Sequence, residues 1–309
     1  MKSNVPCTRT SPADTPERGG IKSLSALVLG GMPEKEFFDQ YWRSRFLYVP
    51  GGGSDLLAMM PSLEDVGAVL ANDAVEESEA VRFLSFPRNA RPIYRTWIAP
   101  GTGRPVRDPR EPVNLVDTAR CFPRMRAFAG ELDAHFGSGI HLQLFYATGP
   151  AGLLPHSDIN DSFILQIVGR KRWRVRDVPA GEPLKKGDAG GELPPGSDPL
   201  VLEPGDILYK PSGGVHATES LENPTLSLTA SVVTYTAWEV LLGFLKAHYP
   251  SDSAWLERFP LGFDQLRDET VEKRIAAACQ DLSRTLPRLE ELQDWWTARS
   301  RDTPIRPLY

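Results

Sequence analysis

Five histidines are spread along the chain, at positions 135, 141, 156, 216 and 248. A lone histidine says little, but His156 sits in "PHSDINDSFILQIVGRKRWRV", residues 155–175, two positions before Asp158. In an extended strand residues i and i+2 leave the same face, so this imidazole and this carboxylate can reach one point. The plain alternative is a solvent-facing turn after Pro155, because the spacing alone is common. A second stretch, "LVLEPGDILYKPSGGVHATES", residues 200–220, supplies a third donor. It reads as a strand, a turn at Glu203-Pro204-Gly205-Asp206 with Pro and Gly placed for type II, a second strand, and a loop that delivers His216.

Two histidines and a carboxylate occupy one face of an octahedron and leave three positions open. This is the donor set of non-haem Fe(II) oxygenases, which must admit a bidentate cosubstrate and dioxygen. A structural zinc site would want four nitrogen or sulfur donors, and no cysteine lies near these positions. A metal-binding cupin with three histidines and a glutamate is the nearer competitor. It lacks a suitably spaced third histidine here, with His141 the one spare candidate.

The basic run after His156 divides by the same alternation. If 162–168 is a strand and Gly169-Arg170 its turn, Lys171, Trp173 and Val175 share one face of the next strand, and Arg172, Arg174 and Arg176 the other. Trp and Val mark the inner face, so Lys171 points inward, where a lysine needs a buried anion. A small dicarboxylate bound to a metal would supply one. The arginines read as a solvated surface, with guidance of an anionic substrate or RNA as the alternative.

These residues need a scaffold. From about Ile140 to Tyr235 the pattern has period two with Pro and Gly punctuation. "IHLQLFYA", "SFILQIV", "KRWRV", "PLVLEP", "DILYKP" and "TLSLTASVVTY" are the strand candidates, and a double-sheet jelly roll fits them best. "GEPLKKGDAGGELPPGSDP" reads as a surface loop. Before this region, Phe37, Phe38, Tyr41 and Trp42 fall at helical spacing, and Leu47, Tyr48 and Val49 read as a strand stopped by Pro50 and glycines. "SLEDVGAVLAN" is a helix with Ser62 as N-cap and Asp65 closing the box, and "DTARCFPRMRAFAGELDAHFGSG" is a further helix ending near Gly137. After Tyr235 the pattern is helical again. The expected organisation is therefore a mobile tail at 1–22, a catalytic domain at 23–235 and a helical extension at 236–309. The extension is expected to serve dimerisation, with a lid on the same subunit as the alternative.

Composition excludes several classes. In 309 residues, 41% hydrophobic and 24% charged describe a soluble globular protein. No run approaches the ~18 apolar residues of a membrane span. Cys7, Cys121 and Cys279 are too few and too scattered for a disulfide framework or a CxxC zinc site. The start lacks the apolar segment of a secretory signal, which points to the cytoplasm. A net charge of -5 gives no global attraction to nucleic acid or anionic lipid.

The two central stretches resemble the JmjC hydroxylases of the cupin superfamily, above all the ribosomal oxygenase branch. That branch shares the HxD, the continuation seen here as "QIVGRKRWRV" and the "LEPGDILYKP" run before the distal histidine. "FFDQYWRSRFLYVPGG" is similar to its opening helix and strand, and "SLSLTASV" to its strand after that histidine. The resemblance runs from about residue 30 to 235. It implies a mainly β double-stranded β-helix with flanking helices and a C-terminal helical segment, and an activity dependent on Fe(II) and 2-oxoglutarate. The metal ligands map onto His156, Asp158 and His216, and the basic residue for the distal carboxylate of 2-oxoglutarate onto Lys171. Ser162 and Ser231 are further cosubstrate candidates, and Tyr146 and Thr148 candidates for the wall of the site. No side chain beyond the metal ligands is expected to act as acid or base. The expected substrate is a side chain of a ribosomal protein or of a ribosomally made peptide. The chain has about 75 residues after Tyr235, fewer than the branch's helical segment and winged helix together. "LFYATGPAGLLPH" also departs from the usual pattern. Leu153 and Leu154 there are placed to reshape the pocket mouth. A non-catalytic cupin-like binding protein, or a hydroxylase of a small molecule, is the alternative.

Overall fold

The computed structural model describes residues 22–70, 81–85, 93–95, 112–116, 118–137, 139–148, 151–178, 187–188, 198–235 and 237–248, with scattered residues from 273 to 298. The chain forms two units, one of residues 1–135 and 140–231, the other of 136–139 and 232–309.

The first unit opens with helices. Ser23 caps α1 (Leu24–Val28) by accepting from Ala26 N at 3.2 Å, and α2 spans Glu34–Gln40. The helical spacing read into Phe37, Phe38, Tyr41 and Trp42 holds only to Tyr41, which ends the helix. Phe37 is fully buried, whereas Phe38 is 40% exposed. After β1 (Leu47–Val49) and a 3-10 turn at Ser54–Met59 comes α3 (Leu63–Leu70). The capping box before α3 is reciprocal: Ser62 N donates to Asp65 Oδ2 at 2.8 Å and Asp65 N to Ser62 Oγ at 3.1 Å. Strands β2 (Val81–Ser85), β3 (Ile93–Arg95) and β4 (Val113–Leu115) follow. The single helix expected near 117–137 is two, α4 (Thr118–Cys121) and α5 (Met125–Phe136), because Pro123 interrupts the run.

The core strands are β5 (Ile140–Ala147), β6 (Gly152–Ser157), β7 (Asp161–Val168), β8 (Lys171–Arg176), β9 (Gly187–Asp188), β10 (Asp198–Leu202), β11 (Ile207–Lys210), β12 (Val215–Ser220) and β13 (Thr225–Val232). One sheet runs β1-β11-β7-β13-β5-β4-β2-β3 and the other β10-β8-β12-β6-β9. Every pairing described is antiparallel, the arrangement of a double-stranded β-helix. Of the loop expected at 181–199, β9 and the first residues of β10 fall within the described residues.

Alternation along β13 separates two environments. Leu226, Leu228 and Ala230 are buried on one face, and Thr225, Ser227, Thr229 and Ser231 line the other. Ser227 touches Lys171 of the opposite sheet, so the hydroxyl face looks into the barrel. Beside it, Ile164, Trp173, Val175, Leu202 and Leu208 form an apolar plug. The barrel interior is thus apolar over part of its length and polar along β13.

The turn before β11 is as expected for type II. Asp206 N donates to Glu203 O at 2.9 Å, and Gly205 takes φ +95. The Asp206 carboxylate accepts from Glu203 N, Tyr48 Oη and Gly51 N at 2.8, 2.8 and 2.7 Å, joining this turn to β1. Burial and this carboxylate push the Tyr48 hydroxyl up to about 12. On the outer face, Phe37 meets Tyr209 edge-on at 4.8 Å between ring centres, tying α2 to β11.

In the second unit, α6 (Ala237–His248) is helical, as are residues 290–292 and 294–295 among those described further on. The Phe244 ring lies 5.6 Å from that of Trp295 and stacks on His248 at 4.0 Å. Most of the expected tail at 1–22 and of the helical extension beyond His248 lies outside the described residues.

Candidate metal centre

His216 lies on β12, directly opposite His156 of β6 and beside Val175 of β8. The sequence places it in a loop; the strand in fact begins at Val215, once Pro211 and two glycines have made the turn. Pairing of β6 with β12 slips between His216 and Thr218. His216 faces His156 and Thr218 faces Leu153, so β6 carries one extra residue. This bulge turns Leu154 outward, 49% exposed, and keeps both Leu153 and His156 facing inward. Asp158 follows one residue beyond the end of β6.

The donor atoms of His156, Asp158 and His216 all lie within 4.8 Å of one another. Asp158 Oδ1 is 3.8 Å from His156 Nε2, and its Oδ2 is 3.6 Å from His216 Nε2. The Nδ1 of His156 lies 2.8 Å from Leu154 O, and that of His216 lies 3.1 Å from Gly214 O. A carbonyl only accepts, so each Nδ1 carries the hydrogen and each Nε2 offers its lone pair to the centre. Burial, reinforced by His156, pushes His216 down to about 3, so its imidazole is neutral and ready to ligate. Trp173 stacks on that ring at 5.5 Å and fixes its plane. Burial by itself would raise Asp158, but Lys210, His216 and His156 together hold its carboxyl well below the ordinary range. The donor set, two imidazoles and one carboxylate with no fourth protein ligand among the described residues, suits a first-row divalent metal with open positions.

The loop carrying Asp158 is held from the segment after β11. Gly213 N donates to Asp158 O at 2.7 Å, Ser212 Oγ to Ile159 O at 2.5 Å and Lys210 Nζ to Asn160 O at 3.0 Å. Below it, fully buried Asp161 accepts from Tyr209 Oη at 2.5 Å and Ser212 N at 3.2 Å. Burial pushes the carboxyl of Asp161 up despite those bonds, and pushes Tyr209 far above its usual value. Arg43 N donates to Tyr209 Oη at 2.9 Å, so the turn after α2 and the loop carrying Asp158 share one network.

Lys171 points inward, as alternation requires. Its ammonium donates to Ser227 Oγ at 3.3 Å and stands 5.7 Å from the centre of the Phe145 ring. Part of its surface opens into a pocket that Phe145, Tyr146, Leu153, Thr218 and Thr225 also line. Withdrawal from water lowers its pKa to about 8, with no carboxylate among the causes. Thr218 and Ser220 face Trp173 and Lys171 across the β12–β8 ladder, two and four residues beyond His216. That is about 7 to 13 Å along the strand, the scale of a short dicarboxylate plus a lysine side chain.

The remaining candidates separate. Ser162 and Ser231 share a hydrogen bond at 3.0 Å, and Ser162 stands opposite Lys210 in register. Tyr146 lines the pocket; Thr148 is exposed just past the end of β5. His141 is exposed, with Nδ1 3.5 Å from the Gln143 side chain, outside the donor cluster. Lys210 and Ser227 are the residues that sequence reasoning missed. Alternation applied to "DILYKP" and "TLSLTASV" would have found both, since Lys210 shares the inner face with Leu208 and Ser227 with Ser231.

Together, two antiparallel sheets around a two-histidine, one-carboxylate set define a cupin-type β-barrel with a candidate metal centre. Residues 128–240 match the JmjC domain family. The matched stretch contains His156, Asp158 and His216. The chain is similar to the ribosomal oxygenases and their relatives. The "bifunctional lysine-specific demethylase and histidyl-hydroxylase NO66" of Drosophila grimshawi is 28% identical over 246 residues, 74% of this chain and 33% of that protein. "Ribosomal oxygenase 1" of Gallus gallus is 27% identical over 228 residues, 69% of this chain and 37% of that one. The chain thus spans about a third of the length of these curated relatives. Among solved structures, YcfD, a ribosomal oxygenase from Escherichia coli in complex with cobalt and 2-oxoglutarate, shares the fold. The TM-score is 0.58 at 20% identity, covering 86% of this chain and 71% of that one. No helix among the described residues is long and apolar enough to cross a membrane.

Proposed function

We propose that the chain is an Fe(II)- and 2-oxoglutarate-dependent oxygenase that hydroxylates a side chain of a protein or peptide, either a ribosomal protein or a ribosomally made peptide precursor. The observation that carries this reading is Lys171: a cation withdrawn from water, facing a pocket, with a hydroxyl as its hydrogen-bond partner. It sits a few residues along the ladder from an open three-donor centre. A buried cation without an anion is costly, and a dicarboxylate chelating the metal with one end would supply that anion with the other.

His156, Asp158 and His216 would hold the metal. Lys171 and Ser227 would take the distal carboxylate, with Tyr146 as pocket wall, Thr148 at the rim, and Ser162 and Ser231 as polar groups of the barrel interior. When bound, Fe(II) supplies dioxygen activation: one oxygen atom goes to the substrate C–H bond and the other to 2-oxoglutarate, which leaves as succinate and carbon dioxide. The chain's own part is to orient the cosubstrate, keep His216 neutral and limit water through the apolar plug beside Trp173. The two activities in the relatives' name, lysine demethylation and histidyl hydroxylation, begin with the same C–H hydroxylation. We assign residues 236–309 to a homodimer interface, and the protein to the cytoplasm on its few scattered cysteines.

The test is anaerobic titration of the Fe(II)-loaded protein with 2-oxoglutarate, followed in the visible region. A metal-to-ligand band that weakens in Lys171→Met supports the assignment, and peptides are then screened by mass for gain of one oxygen or loss of a methyl group. Bound iron with no band refutes it and returns the weight to a cupin-like binding protein.

A further inference from the structure

Lys210 is a second cation inside the barrel, and the dicarboxylate reading gives it no role. It ends β11, its side chain is 3% exposed, and its ammonium lies 3.2 Å from Asp158 Oδ2. It also donates to Asn160 O at 3.0 Å, which fixes its position. The same Oδ2 is 3.6 Å from His216 Nε2, so the lysine and the three-donor centre compete for one carboxylate. Among the described residues Asp158 is the carboxylate of that cluster, and it forms the ion pair with Lys210.

Like charges confined this closely repel strongly where water is scarce. A divalent ion held by Asp158 would sit within a few ångströms of the Lys210 ammonium. Entry of the metal draws Asp158 away and leaves the lysine with a backbone carbonyl alone. A second anion arriving at the centre relieves both effects. It offsets the metal's charge and gives Lys210 a new partner.

We propose that Lys210 is a resident counter-cation of the metal centre: it neutralises Asp158 before metal enters, weakens binding of metal alone, and makes firm metal retention depend on an anionic cosubstrate. This rests on the reading of the centre as a site for a metal and a dicarboxylate. Metal and anion are then positively coupled through a residue that ligates neither in the starting state, and the coupling is reciprocal. Lys210 is a positioning residue.

The experiment is equilibrium titration of the full chain with Co(II), without and with 2-oxoglutarate, in wild type, Lys210→Met and Lys210→Arg. Co(II) absorption and heat are the readouts, and turnover is not needed. Lys210→Met is expected to bind Co(II) alone at least about tenfold more tightly than wild type. Its tightening by 2-oxoglutarate should be smaller than in wild type, and Lys210→Arg should stay near wild type. Because Met leaves Asp158 unpaired in the metal-free protein, thermal melting supplies a second measure. The metal-free variant should melt lower than wild type, and Co(II) should raise its melting temperature by more. Equal or weaker Co(II) binding by folded Lys210→Met, or an unchanged effect of 2-oxoglutarate, overturns the proposal. Failure of wild type itself to bind Co(II) or 2-oxoglutarate would instead remove the oxygenase reading, and this proposal with it.

Discussion

Replacing Lys171 with methionine should stabilise the metal-free protein while removing its affinity for 2-oxoglutarate. The lysine's pKa falls from 10.5 to about 8 on folding, through burial. At about 1.4 kcal/mol per pKa unit, that shift corresponds to roughly 3 kcal/mol of charge burial. Methionine has a similar volume and no charge. It forfeits the hydrogen bond to Ser227 and the contact with the Phe145 ring, together about 1 to 2 kcal/mol. The net expectation is a gain of about 1 to 2 kcal/mol at pH 7, read by urea unfolding. Below about pH 8 both folded and unfolded chains carry the proton and the cost is full. Between about 8 and 10.5 the unfolded chain holds a proton that the folded one has released, so wild-type stability rises with pH and the variant's advantage fades. Calorimetric titration with 2-oxoglutarate should mirror this. Wild-type affinity should fall about tenfold from pH 7 to pH 9 as the lysine loses charge, whereas Lys171→Arg should bind with little change over that range. A variant that is destabilised at pH 7, or that binds 2-oxoglutarate like wild type, would refute the assignment of Lys171 as an anion receptor.

Asp158→Ala should abolish Co(II) binding. It should also lower stability by about 1 to 3 kcal/mol, because it strands buried Lys210; retained metal binding would remove Asp158 from the ligand set. Gly205→Ala forces a side chain into φ +95 with its Cβ 2.8 Å from Ser54 Oγ, and should cost about 1 to 2 kcal/mol in chemical denaturation with metal affinity unchanged. Ser162→Ala combined with Ser231→Ala should destabilise by less than the sum of the two single changes. The two hydroxyls satisfy each other at 3.0 Å, so the first deletion leaves the second unpaired; strict additivity in a double-mutant cycle would exclude the pairing. Truncation after Tyr235 should reduce oligomeric mass in sedimentation, and an unaltered monomer would favour a lid.

Where one period controls the outcome, the sequence was readable. Strand β5 has the expected bounds, and Trp173 and Val175 are buried while Arg172 and Arg174 are exposed. His156, Asp158 and His216, expected to converge, do lie together. What was not legible depends on breaks in the period. The β6 bulge puts Leu153 and His156 on one face although they are three residues apart, a relation no period-two reading yields. Two glycines before His216 read as a loop, yet a strand begins one residue before it, at Val215. Pro123 divides a helix that the apolar spacing on both sides made continuous. Lys210 ends an apolar run before a proline, the usual place for the polar tip of a strand, and its inward direction shows once β11 pairs with β7.

The two buried lysines sit in environments of opposite kind, and the difference bears on how the site would fill. Lys210 already has a carboxylate, whereas Lys171 has a hydroxyl. On the proposed reading, a free dicarboxylate would meet one receptor at Lys171 and one at Lys210 that an internal ligand must vacate. Binding of the anion by Lys171 alone gains a single ionic contact; binding after metal has drawn Asp158 away gains the metal, Lys171 and the released Lys210 together. The order that follows is metal and cosubstrate entering as a coupled pair, with the hydroxyl face of β13 bridging the two ends through Ser227 at Lys171 and Ser231 beside Ser162. If so, 2-oxoglutarate should bind the metal-free wild type weakly, and Asp158→Asn, which weakens the lysine's internal partner, should raise that metal-free affinity. A metal-free affinity unchanged in Asp158→Asn would mean that Lys210 does not reach the anion.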